Sequence, residues 1–273
     1  MKTIGVVGYG YVGKAVVDLF KDSYYIMVYD PSVIEDPDKH DNILYVQNLS
    51  YLDNVDLLVI CVPTPMSEDG SCDISIVEDS VKGTNAELIL IKSTIPPGTS
   101  DYLGEKYNKR IVFSPEFAGE SKYWSPYKFD TDMKEMPYYI FGGASVWTQR
   151  IVEMYIPFLG PTKKYLQTDA KTAEMVKYME NCYFAAKVTM CQEFYEICDI
   201  IGVDYNKARE LWLHDPRINP MHTAVFTENR GFGGKCFPKD LNAMIKFSQK
   251  AGYNPELFKQ ILKSNKYFRN KNK

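Results

Sequence analysis

The densest chemistry in the chain lies near its carboxyl end, in Gly231-Phe232-Gly233-Gly234-Lys235-Cys236-Phe237-Pro238-Lys239-Asp240. A cysteine is a nucleophile only as the thiolate, and Lys235 and Lys239 favour that form. The three glycines remove side chains around the approach to the sulfur, so a substrate can come close to the backbone at Gly233 and to Cys236. Asp240 follows Cys236 by four residues; if a helix begins here, both side chains share one face, a nucleophile beside a possible base. The same stretch also reads as a buried cysteine in a glycine-rich turn.

Lys177 and Asn181 are likewise four apart in a helical pattern. A lysine and an amide aimed at one point stabilise a developing alkoxide or oxyanion. Alternatively they are a solvated lysine and a helix-surface asparagine.

At the amino end, Gly8-Tyr9-Gly10-Tyr11-Val12-Gly13 follows a strand pattern and opens a helix. Gly8 permits the tight turn, Gly10 lets backbone approach a pyrophosphate and Gly13 lets the helix pack closely, while the helix amino terminus favours the anion. Asp30 ends the second strand about 20 residues on, where an acid accepts bonds from the adenosine ribose. Glu35 and Asp36 follow it with no arginine close by. A ribose phosphate would be repelled there, so the expected cofactor is NAD.

These residues need a frame. Lys2 to Val7, Tyr25 to Tyr29, Asp56 to Cys61, Leu88 to Lys92, Arg110 to Phe113 and Tyr138 to Phe141 read as short apolar strands, separated by helical or loop segments. That alternation predicts an α/β, Rossmann-like, doubly wound parallel sheet, closed by a helix over Ser145 to Leu159. From about Asp169 the pattern becomes one long helix, stopped by Gly202. Val176, Met179, Tyr183, Ala186, Met190, Phe194, Ile197 and Ile201 form its apolar stripe, which serves equally as a buried core face or as a homodimer interface. The expected division is a cofactor domain over 1–168 and an all-α domain over 169–273.

With 273 residues, 45% hydrophobic and 25% charged, the chain has ordinary globular composition. A net charge of −3 offers no basic field for nucleic acid. The run Val55 to Val62 is broken by Asp56 and is far short of the roughly 20 residues that span a bilayer. The amino terminus lacks a signal-peptide pattern, so a cytoplasmic address is expected. Six scattered cysteines and three histidines form no disulfide framework or metal site.

Taken in order, GYGYVG, Val62-Pro63-Thr64-Pro65, Ser93-Thr94-Ile95-Pro96-Pro97-Gly98, Ser114-Pro115-Glu116-Phe117, Lys177 with Asn181, Asp215-Pro216-Arg217-Ile218 and GFGGKCFPKD resemble the UDP-glucose/GDP-mannose dehydrogenase family from the first strand nearly to the last residue. The resemblance implies a two-step, four-electron oxidation of a nucleotide sugar, UDP-glucose first, with two NAD. Cys236 would pass through a thiohemiacetal and a thioester. Lys177 and Asn181 would hold the oxyanion. Asp240, with Lys177 and a water near Thr94, would manage protons, and Glu116 would assist hydrolysis. Tyr11, Val12, Thr64, Thr94, Glu120 and Lys239 would contact NAD. Phe117 lies where substrate contacts are made, and Arg217 would reach the substrate of the neighbouring subunit of a dimer built on the long helix.

Three departures accompany the resemblance. Phe117 is followed by Ala118-Gly119-Glu120 where the family has a leucine, a polar residue and an acid, and Lys235 replaces a small residue. The family pattern continues into another α/β domain, which would begin about where this chain stops. Two other readings follow from the same residues. One is a β-hydroxyacid-type dehydrogenase using Lys177 without a covalent cysteine; the other is a dimeric NAD-binding remnant without catalysis.

Overall fold

A computed structural model describes residues 2–33, 40–117 and 133–271. Two compact units divide them: the first takes in 2–33, 40–65, 73–117 and 133–177, and the second 66–72 and 178–271.

The first unit carries an eight-stranded sheet. In chain order its elements are β1 (Thr3–Val7), α1 (Tyr11–Phe20), β2 (Tyr25–Tyr29), β3 (Ile43–Val46), β4 (Leu57–Ile60), α2 (Ser75–Lys82), β5 (Leu88–Ile91), α3 (Thr99–Tyr107), β6 (Arg110–Phe113), β7 (Tyr138–Gly142), α4 (Ser145–Leu159) and β8 (Lys164–Thr168). The strand order is β3-β2-β1-β4-β5-β6-β7-β8. β4 and β5 are unbroken apolar runs, buried at every residue, as strands covered on both faces must be.

Alternate residues enter opposite cores. Ile4, Val6, Leu57, Val59 and Leu90 pack with Val16, Val17 and Phe20 of α1 and with Ile151 and Tyr155 of α4. Val7, Leu58, Ile60, Ile89 and Ile91 pack with Val77 and Val81 of α2 and Leu103 of α3. A sheet with a helical layer on each face is the expected doubly wound α/β fold, and its open carboxyl ends are where such folds bind ligands.

The sheet differs from the reading of the sequence in two respects. β3 and β8 add to the six strands read there; β8 is a mostly exposed, polar edge strand, which carries little apolar signal. β7 runs antiparallel to β6, while every other pair is parallel. An antiparallel neighbour needs no crossover helix, so strand-helix alternation could not reveal it.

The second unit is helical. It contains most of α5 (Ala170–Ile200), with α6 (Tyr205–Trp212), α7 (Phe237–Lys250) and α8 (Glu256–Asn270). Asp169 caps α5, accepting from Thr172 N–H at 2.8 Å and from the Thr172 hydroxyl at 2.7 Å. At the other end Gly202, at φ 73°, takes the left-handed turn that stops it. The core of this unit is Tyr178, Cys182 and Ala185 of α5 with Leu241, Met244 and Ile245 of α7, Ile261 of α8 and Phe232. The stripe noticed in the sequence lies elsewhere on α5: Met179 and Tyr183 are 59% and 60% exposed, and Met190, Phe194, Ile197 and Ile201 are exposed as well. The core reading of those exposed positions is thereby overturned, because Tyr178, Cys182 and Ala185 beside them do the internal packing. No helix among the described residues is long and apolar enough to cross a membrane.

Candidate active site

In the first unit, the three glycines after β1 are set apart by what surrounds them. Gly8 has φ 92°, and a Cβ there would lie 2.7 Å from the Cys61 carbonyl oxygen. A Cβ on Gly13 would stand 2.0 Å from the Gly8 carbonyl oxygen, so α1 rests directly on the turn. Gly10, the residue before α1, has nothing within 4 Å of its Cβ position. That opening lies at the amino end of α1 and suits a pyrophosphate.

Asp30 lies one residue beyond β2. Its carboxylate accepts from Tyr9 N–H at 2.7 Å, Ser32 N–H at 2.8 Å and the Ser32 hydroxyl at 2.6 Å. Partial burial alone would raise its pKa, but these bonds outweigh it and hold the carboxyl below the usual range. An ionised acid beside an open glycine turn fits NAD. Tyr11 is exposed at the start of α1, Val12 is half-buried, and the buried Thr64 donates to the Thr94 carbonyl at 2.8 Å. Glu35, Asp36 and Glu120 lie outside the described residues.

The carboxyl ends of β5 and β6 bring a buried ion pair together. Lys92 Nζ lies 3.2 Å from Glu116 Oε2 and donates to Ser114 Oγ at 3.4 Å. The Glu116 side chain is only 10% exposed, and its other oxygen accepts from Phe117 N–H. Lys177 sits over the Phe117 ring, 5.2 Å from its centroid. Sequence reading passed over Lys92, although its charge ends the apolar run Leu88–Ile91.

It also missed Glu174. This residue of α5 is fully buried and accepts from Gly98 N–H at 2.5 Å and Ser100 N–H at 2.8 Å. It thereby ties down the end of the loop that carries Thr94. Burial raises its carboxyl to about 7 against the opposing pull of those N–H groups.

In the second unit, the helix anticipated after the glycines is present. Cys236 is the residue before α7, and Asp240 N–H closes the first turn onto the Cys236 carbonyl at 2.8 Å. Cys236 is exposed, which overturns the buried-cysteine reading. Cys236 thus stands at a helix amino terminus, where the helix dipole favours an anion. Cys61 and Cys182, in contrast, are pushed up to about 12 by burial.

Asp240 is 1% exposed. Its Oδ2 accepts from Asn181 Nδ2 at 2.5 Å, and Lys239 Nζ lies 2.6 Å from its Oδ1. Asn181 is therefore a buried partner of Asp240, not a surface residue, and Lys239 is engaged with the same carboxylate.

The glycines around the cysteine have separate reasons. A Cβ on Gly231 would stand 2.4 Å from Asn265 Oδ1, and one on Gly233 would stand 3.2 Å from Arg269 Nη1. Only Gly234, at φ 73°, has open space at its Cβ position. Arg269 of α8 therefore lies against Gly233. Arg217 projects into solvent, its guanidinium gripped by Asp215 at 3.0 and 2.6 Å.

Residues 22–158 match the NAD binding domain, and residues 171–267 the central domain, of the UDP-glucose/GDP-mannose dehydrogenase family. UDP-glucose 6-dehydrogenase TuaD of Bacillus subtilis is 28% identical over 97% of this chain and 63% of its own length. UDP-N-acetyl-D-mannosamine dehydrogenase of Methanocaldococcus jannaschii is 33% identical over 73% of this chain and 46% of its own length. The chain therefore spans about half to just under two thirds of the length of these relatives. In fold it is similar to a UDP-glucose dehydrogenase from Pyrobaculum islandicum, at a TM-score of 0.82, 24% identity, and coverage of 98% of this chain and 68% of that one.

Proposed function

Because the chain belongs to the UDP-glucose/GDP-mannose dehydrogenase family, we propose that it oxidises the primary alcohol of a nucleotide sugar to the carboxylate, with UDP-glucose as the first candidate and UDP-glucuronate, a polysaccharide precursor, as product. The observation that carries this reading is an exposed cysteine at the start of α7, one turn from a buried aspartate held by Asn181 and Lys239. A cofactor turn alone would serve any dehydrogenase; a placed sulfur serves one that must oxidise an aldehyde.

NAD, held by Gly8 to Gly13 and Asp30, supplies acceptance of two electrons and one hydrogen in each oxidation. Tyr11, Val12, Thr64, Thr94, Glu120 and Lys239 are assigned to its binding. The first oxidation turns the alcohol into an aldehyde. The Cys236 sulfur then adds to the aldehyde carbon, forming a C–S bond and leaving an oxyanion that Lys177 and Asn181 stabilise. The second oxidation converts this thiohemiacetal into a thioester. Glu116 takes a proton from water, the water oxygen adds to the acyl carbon, and the C–S bond breaks to give carboxylate and thiolate. Asp240 fixes Asn181 and, with Lys177 and Thr94, handles the protons released.

The work divides between an NAD-binding domain over 1–168 and a helical domain over 169–273 in the cytoplasm. The exposed face of α5 from Met179 to Ile197, with Ile201 just beyond it, is assigned to a homodimer interface, and Arg217 to the neighbouring subunit's substrate. Light scattering should give twice the chain mass; a single chain mass contradicts that assignment.

The test of the reaction is a count of NADH formed per sugar nucleotide consumed, across a panel of UDP- and GDP-sugars. Two NADH are expected for at least one of them. One NADH selects the β-hydroxyacid type of reaction. NAD binding in calorimetry, without sugar-nucleotide binding or turnover, selects a non-catalytic role.

A further inference from the structure

We propose that Asn265 on α8 is a positioning residue for Cys236, a role that rests on the reading of Cys236 as the nucleophile. Asn265 is 8% exposed, and its amide makes both bonds available to a single peptide unit pair on Phe232: Oδ1 accepts from Phe232 N–H at 2.7 Å, and Nδ2 donates to the Phe232 carbonyl at 2.9 Å. Two bonds in opposite senses fix the loop in both position and rotation, because a slip that kept one would break the other. Gly231 is required beside this clamp. It stands at φ 72°, and its hydrogen faces Asn265 Oδ1, where a Cβ would meet the oxygen at 2.4 Å.

The chain entering the clamp is held as firmly. Arg230 is buried, donates to Gln192 Oε1 at 2.6 Å and Glu196 Oε1 at 2.7 Å on α5, and lies over the Tyr195 ring at 4.4 Å. Arg269, one turn beyond Asn265, runs along the same loop with its guanidinium against Gly233 and donates to Asn229 Oδ1 at 2.7 Å. The restraints stop at Gly233, while Gly234 faces open space. Gly233, against which Arg269 rests, then Gly234 and Lys235 link the fixed anchor at Phe232 to Cys236 at the head of α7. Asn265 reaches neither substrate nor cofactor; it acts by holding the loop that leads into Cys236 in one position.

The experiment is iodoacetamide alkylation of the full chain at pH 7, with the modified peptides resolved by mass spectrometry so that Cys236 is followed alone. Asn265→Ala should slow alkylation of Cys236 by about fivefold or more, because the loop that leads into the sulfur is no longer held in one place. Asn265→Asp keeps the acceptor for Phe232 N–H and should fall between the two, which keeps the test available if the alanine variant does not fold. Gly231→Ala, which pushes a Cβ into the clamp, should slow the reaction as Asn265→Ala does. NAD affinity, which depends on the first unit, should stay within about twofold in all three. Wild-type alkylation rates in folded variants overturn the proposal, since a merely structural role would lower thermal stability alone. If the wild-type chain alkylates faster than the variants yet oxidises no sugar nucleotide, the positioning role stands and the reading of the reaction fails.

Discussion

Asn181 on α5 donates its side-chain amide to the Asp240 carboxylate on α7 across 2.5 Å, in a setting where Asp240 is 1% exposed. An ionisable group so deeply buried is tolerated only while it is bonded. Asn181 is therefore structural and chemical at once: it keeps Asp240 satisfied, and Asp240 in turn fixes the direction of the amide. Asn181→Ala should cost about 1–3 kcal/mol of stability, the penalty of an unmade bond to a buried carboxylate. Turnover should fall by at least about a hundredfold, as when an oxyanion donor is removed. Urea denaturation and NADH formation measure the two effects; stability lost with turnover intact would remove Asn181 from the chemistry.

The cofactor turn predicts two alanine substitutions with opposite costs. Gly10→Ala meets no atom within 4 Å, so the fold should keep its melting temperature while NAD affinity drops about tenfold or more, because the methyl fills space needed by the pyrophosphate. Gly13→Ala places a carbon 2.0 Å from the Gly8 carbonyl oxygen and should lower the melting temperature itself. Calorimetric titration with NAD and thermal unfolding separate the two; equal behaviour of the variants contradicts this assignment of the glycines.

Glu174 predicts a pH dependence of known sign. Burial raises its carboxyl from 4.5 to about 7 in the folded chain. Between those values the folded chain holds a proton that the unfolded chain has lost. The carboxyl's contribution to stability is therefore full below about pH 4.5 and declines as pH rises toward about 7. The stability of the wild-type chain relative to Glu174→Gln should accordingly shrink from pH 5 to pH 7.5. Guanidinium unfolding of both at each pH reads the difference, and a flat or growing one contradicts the burial argument.

Much of this was legible in the sequence because the signals are local. The turn glycines Gly8, Gly10 and Gly13 and the fully buried strands β4 and β5 depend on neighbours within a few residues, and the stop at Gly202 needs only a backbone free to turn left-handed. What sequence reading lost was set by distant partners. Met179, Tyr183 and Phe194 have helical spacing whether they face a core or solvent, so the stripe could not say that Cys182 and Ala185 would be the buried ones. Gly231 and Gly233 are small because Asn265 and Arg269 come from more than thirty positions downstream to lie on them, a fact no local pattern encodes. The pair of Lys92 with Glu116 is similar, since each ends a different strand and only the parallel pairing of β5 with β6 brings them together.

The covalent role of Cys236 is the centre of the account, and mass spectrometry tests it directly. The Glu116→Gln variant, mixed with UDP-glucose and NAD and quenched in acid, should carry an acyl-sugar nucleotide on the Cys236 peptide, because thioester formation is intact while its hydrolysis is slowed. Cys236→Ala, mixed in the same way, should form no acid. An unmodified Cys236 peptide in a variant that still produces NADH, or acid formation by Cys236→Ala at the wild-type rate, would contradict the account.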